Sequence, residues 1–443
     1  MQEKDQKSFT FINEKIKEKP LNKRRMLIQA AFAVVMAVVF GLVASIVFTY
    51  AQPKIEEMMY PKEDPVVSIP KDEPTEETET AETENSETED KESSETEEQD
   101  EGTETAEPQT ETPVVEYQPP TIEDYQALQN AMYAIGREAN KFIVTVTGVK
   151  SDTDWFNNPY ERKGQASGII IANNGQELLI LTEKKVLSDA QEIFVTFIND
   201  TSVQANIKKY DGNTGITVLS VPLKEIEENT MDAISIATLG NSLSVTQGNL
   251  VLAVGSPLGT NYSILTGNIT STTNMISTTD ANYKVFTTDI ISSMDGSGAL
   301  INLKGEVIGL VMQDYSNAGD ENTLTAVSIS ELKTLIEMLS NNQDIPYLGL
   351  GVKTVTAAIA NEYEIPKGVY IKDVAMDSPA MAAGLQSGDV LTEIDGVTVY
   401  TTESYENQLL SIKPGKVIKV LIQRQGSEGY TEIECEVEVS VLP

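Results

Sequence analysis

Two residue counts limit the chemistry that this 443-residue chain can perform, because it contains no histidine and a single cysteine, Cys435. Without histidine, a Ser-His-Asp or Cys-His catalytic group and a His-ligated metal site are excluded within the chain. One cysteine forms neither an internal disulfide nor a cysteine-rich zinc site. The most acidic segment, residues 71–110, lacks the ligand spacing of a calcium loop. The remaining candidates are serine, lysine and carboxylate side chains, and no cofactor or metal site is predicted.

The charge distribution excludes one class of partner and predicts a membrane anchor. The formal net charge is −36, which argues against nucleic-acid binding because phosphate recognition needs basic patches. Residues 26–50 carry no charge and at about 1.5 Å per residue span a bilayer as a helix. Lys23-Arg24-Arg25 precedes this run, so the positive-inside rule makes residues 1–25 a cytoplasmic basic tail and places the rest outside the cell. A cleavable signal peptide is the alternative, although its apolar region is only about 7–15 residues long.

Residues 51–119 are predicted to be an acidic, disordered linker. Between Lys71 and Thr110 there are 18 acids, two lysines and no aromatic residue. Such a segment buries too little apolar surface to offset its ordering entropy, and its charges extend it. It is interpreted as a solvated tether, with a cation-binding or O-glycosylated stalk as the alternative.

The pattern after Thr121 predicts a mainly β region and a smaller α/β unit. Helices are predicted over 122–140 and 330–339. Short apolar runs separated by Gly, Asn and Asp indicate strands of a barrel or sandwich, at 142–148, 168–171, 178–181, 193–197, 216–221, 250–254 and 307–312. Strict alternation in the last strand puts Cys435 on the same face as Val437 and Val439, which favours a small core residue over a reactive thiol.

The C-terminal unit resembles the PDZ domain attached to bacterial HtrA (Deg) serine proteases. Its matching segments are Tyr347-Leu348-Gly349-Leu350, Ser378-Pro379-Ala380, Ala383-Gly384-Leu385, Gly388-Asp389-Val390-Leu391 and Asp395-Gly396. The resemblance implies a PDZ domain over 343–443, in which Tyr347, Leu348, Gly349 and Leu350 form the carboxylate-binding loop. Backbone N–H groups of that loop would bind a peptide C-terminus, and the peptide would add as a strand. We expect Leu348 and Leu350 to line part of the pocket for the last side chain.

Residues 120–342 resemble the trypsin-like domain of the same family, which implies a double six-stranded β-barrel. The matching segments are Ala166-Ser167-Gly168-Ile169-Ile170, Gly255-Ser256-Pro257-Leu258-Gly259, Leu265-Thr266-Gly267-Asn268-Ile269-Thr270, Thr288-Asp289 and Gly305-Glu306-Val307-Ile308-Gly309. They occur in the family's order. The resemblance also implies that trimers are conceivable, either of this chain alone or mixed with active proteases.

The catalytic positions depart from the family pattern. Lys185 stands where the family has histidine, and Gly215 where it has aspartate. The nucleophile segment reads Met294-Asp295-Gly296-Ser297-Gly298, one residue shorter than usual, so either Ser297 or Gly296 occupies the nucleophile position. A serine needs a base to accept its proton. Lysine has an ordinary pKa near 10.4, and the adjacent Glu183 favours its charged form.

Two classes of function therefore compete. The first is a membrane-anchored extracytoplasmic pseudoprotease that binds peptide C-termini or exposed segments of envelope proteins through its PDZ domain. The second is a serine endopeptidase with rebuilt chemistry on Ser297 and Lys185. A third interpretation is a regulatory subunit of active HtrA-type proteases. The absence of histidine favours the first class.

Overall fold

An isolated helix precedes the folded part of the chain. The computed structural model describes residues 23–59, 65–72, 119–153, 159–316, 319, 321–427 and 429–443, and the chain separates into two units, Met1–Asp64 and Pro65–Pro443. In the first unit, α1 (Lys23–Met59) contains a 24-residue run, Met26–Thr49, with a mean hydropathy of 2.8. By length and composition this helix is able to cross a membrane. The predicted tail, residues 1–22, lies outside the described residues.

The second unit begins with two closed antiparallel barrels. The strands of the first barrel are β1 (Ile143–Thr153), β2 (Pro159–Asn173), β3 (Glu177–Glu183), β4 (Glu192–Thr196), β5 (Ser202–Tyr210) and β6 (Ile216–Pro222), in the order β1-β2-β3-β6-β5-β4. The strands of the second are β7 (Leu250–Ser256), β8 (Ser263–Thr278), β9 (Ala281–Ile291), β10 (Ser297–Ile301), β11 (Val307–Met312) and β12 (Thr323–Ser328), in the order β10-β11-β12-β9-β8-β7. The predicted double barrel is confirmed.

Three helices accompany the barrels. They are α2 (Ile122–Ala139), α3 (Glu228–Ala233) and α4 (Ile329–Ser340). At the start of α2, Thr121 accepts the backbone N–H of Asp124, and Asp124 accepts that of Thr121. This capping box satisfies two donors that would otherwise lack partners. Most of α4 is buried, and its apolar side chains belong to the core shared by both barrels.

The C-terminal domain has its own sheet and its own core. Its elements are β13 (Pro346–Tyr347), β14 (Leu350–Thr354), α5 (Ala357–Tyr363), β15 (Val369–Val374), α6 (Pro379–Ala382), β16 (Val390–Ile394), β17 (Val397–Thr398), α7 (Thr402–Leu410), β18 (Val417–Gly426), β19 (Gly429–Glu438) and β20 (Ser440–Val441). The main sheet has the order β14-β15-β16-β18-β19. Buried Asp389 is bound through both carboxylate oxygens by the guanidinium of Arg424. Cys435 packs against this core as expected, and burial raises the pKa of its thiol.

Residues 65–72, here called the strap, pack against α4. Asn341 binds both backbone polar groups of Val67, at 2.8 Å and 2.7 Å. The side chains of Val67 and Ile69 pack against the barrel core. Asp72 lies 2.8 Å from the ammonium of Lys333, whose side chain is 3 % exposed. Part of the linker predicted over 51–119 is therefore ordered, because residues 51–59 continue α1 and residues 65–72 contact α4. Residues 60–64 and 73–118 lie outside the described residues.

We predict that Asp72→Ala destabilises the second unit, residues 65–443, by about 3–5 kcal/mol, because it leaves the buried Lys333 ammonium without its partner. Urea denaturation measures the change. Glu138→Ala, which removes an exposed ion pair with Lys141, is the matched control and should change stability by about 1 kcal/mol or less. Addition of Lys333→Met should recover much of the loss. A loss no larger than that of Glu138→Ala would contradict this role for the strap.

Candidate functional site

The serine of the predicted nucleophile segment is buried at the junction of the two barrels. Ser297 begins β10 and is 2 % exposed. Its Oγ accepts the backbone N–H of Ser167 at 2.9 Å, and the Ser167 hydroxyl donates to Asn261 at 2.7 Å. The amide of Asn261 in turn donates to Thr145 at 2.5 Å. Ser297 is thus held in a hydrogen-bonded chain that ties β10 to the first barrel.

Gly296, the alternative nucleophile position, lies in a tight turn. Its backbone N–H donates to the carbonyl of Ser293 at 2.8 Å. A Cβ at this position would lie 2.3 Å from Ser292 Oγ and 2.9 Å from the carbonyl oxygen of Pro257. The turn therefore has no room for a serine side chain without a shift, and the Gly296 N–H is not free to bind an oxyanion.

Lys185 lies in a short 3₁₀ turn after β3, Lys184–Val186, and is neutralised by two carboxylates. Its ammonium is 3.1 Å from Glu183 and 3.5 Å from Asp314. Burial raises the pKa of Glu183 to about 7, although Lys185 acts in the opposite direction. Burial acts to lower the pKa of Lys185, but Glu183 and Asp314 outweigh it and the net shift is upward. Lys185 is therefore protonated at neutral pH and is poorly suited to accept a proton from serine.

Gly215, at the aspartate position, adopts a backbone conformation that disfavours other residues. Its φ is +76°, in the left-handed region where a side chain is strained. Its N–H donates to the carbonyl of Asp211, and its carbonyl accepts the N–H of Lys184. The carboxylate of Asp211 is itself bound within the loop by Asn213 and Thr214. This loop supplies no carboxylate to orient a base.

A cleft of about 620 Å³ lies beside these positions. Lys185, Asn261 and Asp295 line it, whereas the buried Ser297 does not. Among the described residues, no group of three or more His, Cys, Asp or Glu side chains is placed to hold a metal ion. The cleft therefore exposes neither the ammonium of Lys185, whose Nζ is buried, nor the hydroxyl of Ser297.

The predicted carboxylate-binding loop does converge on a carboxylate, and that carboxylate belongs to the same chain. The backbone N–H groups of Leu348, Gly349 and Leu350 donate to the side chain of Asp280 at 2.8, 2.7 and 2.9 Å. Gly349 has a φ of +89°, and a Cβ there would lie 2.2 Å from the Cβ of Ser378. The loop conformation thus requires glycine at position 349. Tyr347, the last residue of β13, is the first residue of the loop.

The expectation that Leu348 and Leu350 line part of the pocket for the last peptide side chain stays a prediction. Both side chains belong to the PDZ core and are 1 % and 0 % exposed. Only their backbone N–H groups face the carboxylate. A polar substitution at either position would therefore test folding rather than peptide recognition.

Asp280 was not singled out by the sequence. It forms the tip of the β8–β9 hairpin, with a φ of +64° that aspartate tolerates, and it is 6 % exposed. The hydroxyl of Tyr405 on α7 donates a fourth hydrogen bond to it at 2.6 Å. Burial raises the pKa of Asp280, while these four hydrogen bonds act in the opposite direction. An aspartate in a hairpin turn is common, so no pattern pointed to this contact.

Comparisons with known proteins agree with this architecture. Residues 166–310 match the model of the trypsin-like peptidase domain, and residues 346–435 match that of the PDZ domain. A serine protease Do-like HtrA of Lactobacillus helveticus is 28 % identical over 297 residues, covering 63 % of this chain and 70 % of the relative. A probable periplasmic serine endoprotease DegP-like of Halomonas elongata is 30 % identical over 272 residues, covering 60 % of this chain and 55 % of the relative.

The fold also resembles solved structures. The HtrA-type protease AlgW with decapeptide is 21 % identical, with a TM-score of 0.54, and the match covers 70 % of this chain and 99 % of that one. At this identity the likeness establishes the fold alone. It supports the same succession of a trypsin-like double barrel and a PDZ domain.

Proposed function

We propose that this HtrA-type protein, whose trypsin-like domain is followed by a PDZ domain, binds the C-termini or exposed segments of envelope proteins and does not cleave them. The observation that carries the proposal is the contrast between its two sites. The PDZ loop has three convergent N–H donors. The protease-like domain has a protonated lysine, a glycine and a buried serine at the positions predicted to be catalytic.

The chemistry supports the absence of proteolysis. Acyl transfer from a serine needs a base that takes the hydroxyl proton and a group that orients this base. Lys185 is bound to Glu183 and Asp314 instead, and Gly215 has no side chain. The hydroxyl of Ser297 accepts a backbone hydrogen bond inside the barrel junction. No observation favours the alternative of a Ser297–Lys185 endopeptidase.

We predict that the purified ectodomain, residues 65–443, neither degrades casein nor reacts with a fluorophosphonate serine probe, because no base activates Ser297. Gel analysis of casein and fluorescence of the labelled protein provide the measurements. Ser297→Ala is the control that separates an intrinsic activity from a contaminating protease. Degradation or labelling that disappears in Ser297→Ala would establish the endopeptidase and exclude the non-proteolytic function.

A peptide ligand would use the PDZ loop through its free carboxylate. Charge-assisted hydrogen bonds from backbone N–H groups are stronger than neutral ones. Among the described strands, β14 pairs along one edge, with β15, so a peptide would add as a strand on its other edge. The regulatory interpretation, binding to an active HtrA-type protease within a mixed trimer, would use the same kind of protein partner and stays a prediction.

We predict that the PDZ domain alone, residues 343–443, binds peptides that end in an apolar residue with a free carboxylate. Its separate core supports independent folding, which circular dichroism checks. Amidation of the peptide should weaken binding by about tenfold or more, since each lost charge-assisted bond contributes about 1.5–3 kcal/mol. Isothermal titration measures both forms. Equal affinity for the acid and the amide, or no binding at millimolar concentration, would refute carboxylate recognition.

Membrane anchoring and an extracytoplasmic location complete the proposal. They are supported by the apolar run of α1, by the basic cluster before it and by the similarity to relatives described as periplasmic. The positive-inside rule then places the barrels and the PDZ domain outside the membrane.

We predict that protease added to intact protoplasts removes the PDZ domain. The extracytoplasmic topology exposes residues 65–443 on the outer face. Immunoblotting against the PDZ domain provides the readout, and a cytoplasmic protein detected in the same sample is the control for lysis. Protection of the PDZ domain in intact protoplasts, with digestion after lysis, would reverse the topology.

A further inference from the structure

The position of Asp280 corresponds to that of a peptide C-terminus in the PDZ loop. Its carboxylate accepts the N–H groups of Leu348, Gly349 and Leu350. Its own backbone N–H donates to the carbonyl of Leu350 at 2.7 Å. Two residues later, the side-chain amide of Asn282 donates to the carbonyl of Val352 on β14. The hairpin tip therefore occupies both the carboxylate loop and the open edge of β14.

The site has no room for a second ligand while the hairpin is in place. Asp280 is 6 % exposed, and the Tyr405 hydroxyl bound to it belongs to a fully buried side chain. The cavity between the hairpin, α7 and Pro346 measures about 20 Å³, which is room for about one water molecule and not for the C-terminus of a peptide. A peptide carboxylate would need the donors that Asp280 already uses.

From this geometry we infer that Asp280 is an internal ligand of the PDZ domain, and that a protein C-terminus binds only by displacing it. The inference rests on the proposed function, because it concerns the same peptide site. The external ligand is a polypeptide chain that ends in a free carboxylate. It competes with the side chain of Asp280 because both present a carboxylate to the same N–H donors. The resting protein is thus closed toward partners, and binding is coupled to separation of the PDZ domain from the β8–β9 hairpin.

The coupling has a quantitative consequence. A tethered ligand competes at a high effective concentration, and the apparent affinity for a peptide falls in proportion to the fraction of molecules with an open site. Weakening the internal contact increases that fraction. A variant at position 280 should therefore bind external peptides more tightly than the unmodified protein, although no residue that would touch the peptide has changed.

The experiment uses the ectodomain, residues 65–443, with Asp280→Asn. Asparagine tolerates the left-handed backbone but removes the charge and directs an amide donor toward the N–H groups of the loop. Asp200→Asn is the matched control, because Asp200 is exposed and has nearly the same φ, +62° against +64°. Fluorescence anisotropy measures binding of a labelled peptide that ends in valine with a free carboxylate. We expect at least about tenfold tighter binding for Asp280→Asn and no change for Asp200→Asn.

Amide hydrogen exchange provides a second readout that needs no external peptide. The N–H groups of residues 348–350 should exchange faster in Asp280→Asn than in Asp200→Asn, because asparagine keeps only one acceptor oxygen and lacks the charge that strengthens these hydrogen bonds. If these amides exchange faster in Asp280→Asn but neither variant binds a peptide, the proposed peptide-binding function is refuted while the contact between Asp280 and the loop is supported.

Tyr405→Phe removes one hydrogen bond to Asp280 and keeps the buried ring. It should give a smaller change in the same direction, and it replaces Asp280→Asn in the experiment if that variant unfolds. Unchanged exchange, or equal peptide affinity of Asp280→Asn and Asp200→Asn, would overturn the inference.

Discussion

A carboxylate that is removed from water needs hydrogen-bond donors, and the position of the PDZ domain on the barrels depends on how Asp280 meets this requirement. The β8–β9 hairpin contributes no donor for this side chain among the contacts of the described residues. Its four donors come from the PDZ loop and α7. Any arrangement that separates the two domains without admitting water or another acceptor leaves either the carboxylate or the loop N–H groups unsatisfied, and each unsatisfied group costs about 1–3 kcal/mol. The interface is therefore specific in orientation as well as apolar in content.

In the trypsin-like domain, the residues predicted to stand at the catalytic positions take part in local structural contacts. Ser297 connects the barrels, Lys185 is neutralised by Glu183 and Asp314, and Gly215 closes a turn. Glu183 Oε1 is buried and has no hydrogen-bond partner among the described residues, which agrees with the raised pKa of this side chain. The contacts of Lys185 with Asp314 and of Ser297 with Ser167 join the two barrels.

The sequence predicted the elements whose signal is local. Apolar runs located β3, β6, β7 and β11, and amphipathic spacing located α2 and α4 to within one or two residues. The apolar runs missed β8, because the segment from Ser263 to Thr278 is rich in Ser, Thr and Asn and resembles a loop in composition. Only the family resemblance of residues 265–270 indicated a strand there. The order of the PDZ motifs located the carboxylate-binding loop. Its donors are backbone N–H groups, so their direction depends on the backbone conformation of the motif. The contact with Asp280 joins residues about 70 and 125 positions apart, and a single sequence carries no signal for such a pair. The burial of Leu348 and Leu350 was missed for the same reason, because it depends on how the PDZ core packs.

The strap changes how the acidic segment is interpreted. As a tether, this segment would separate the anchor from the folded domains, yet residues 65–72 already bind α4. The 46 residues from 73 to 118 therefore connect two points of the same folded unit, and only residues 60–64 separate α1 from the strap along the chain. The buried Asp72–Lys333 pair and the two hydrogen bonds of Asn341 fix the strap on α4. The strap therefore belongs to the folded unit, and the predicted linker of residues 51–119 does not run as one uninterrupted tether from α1 to α2.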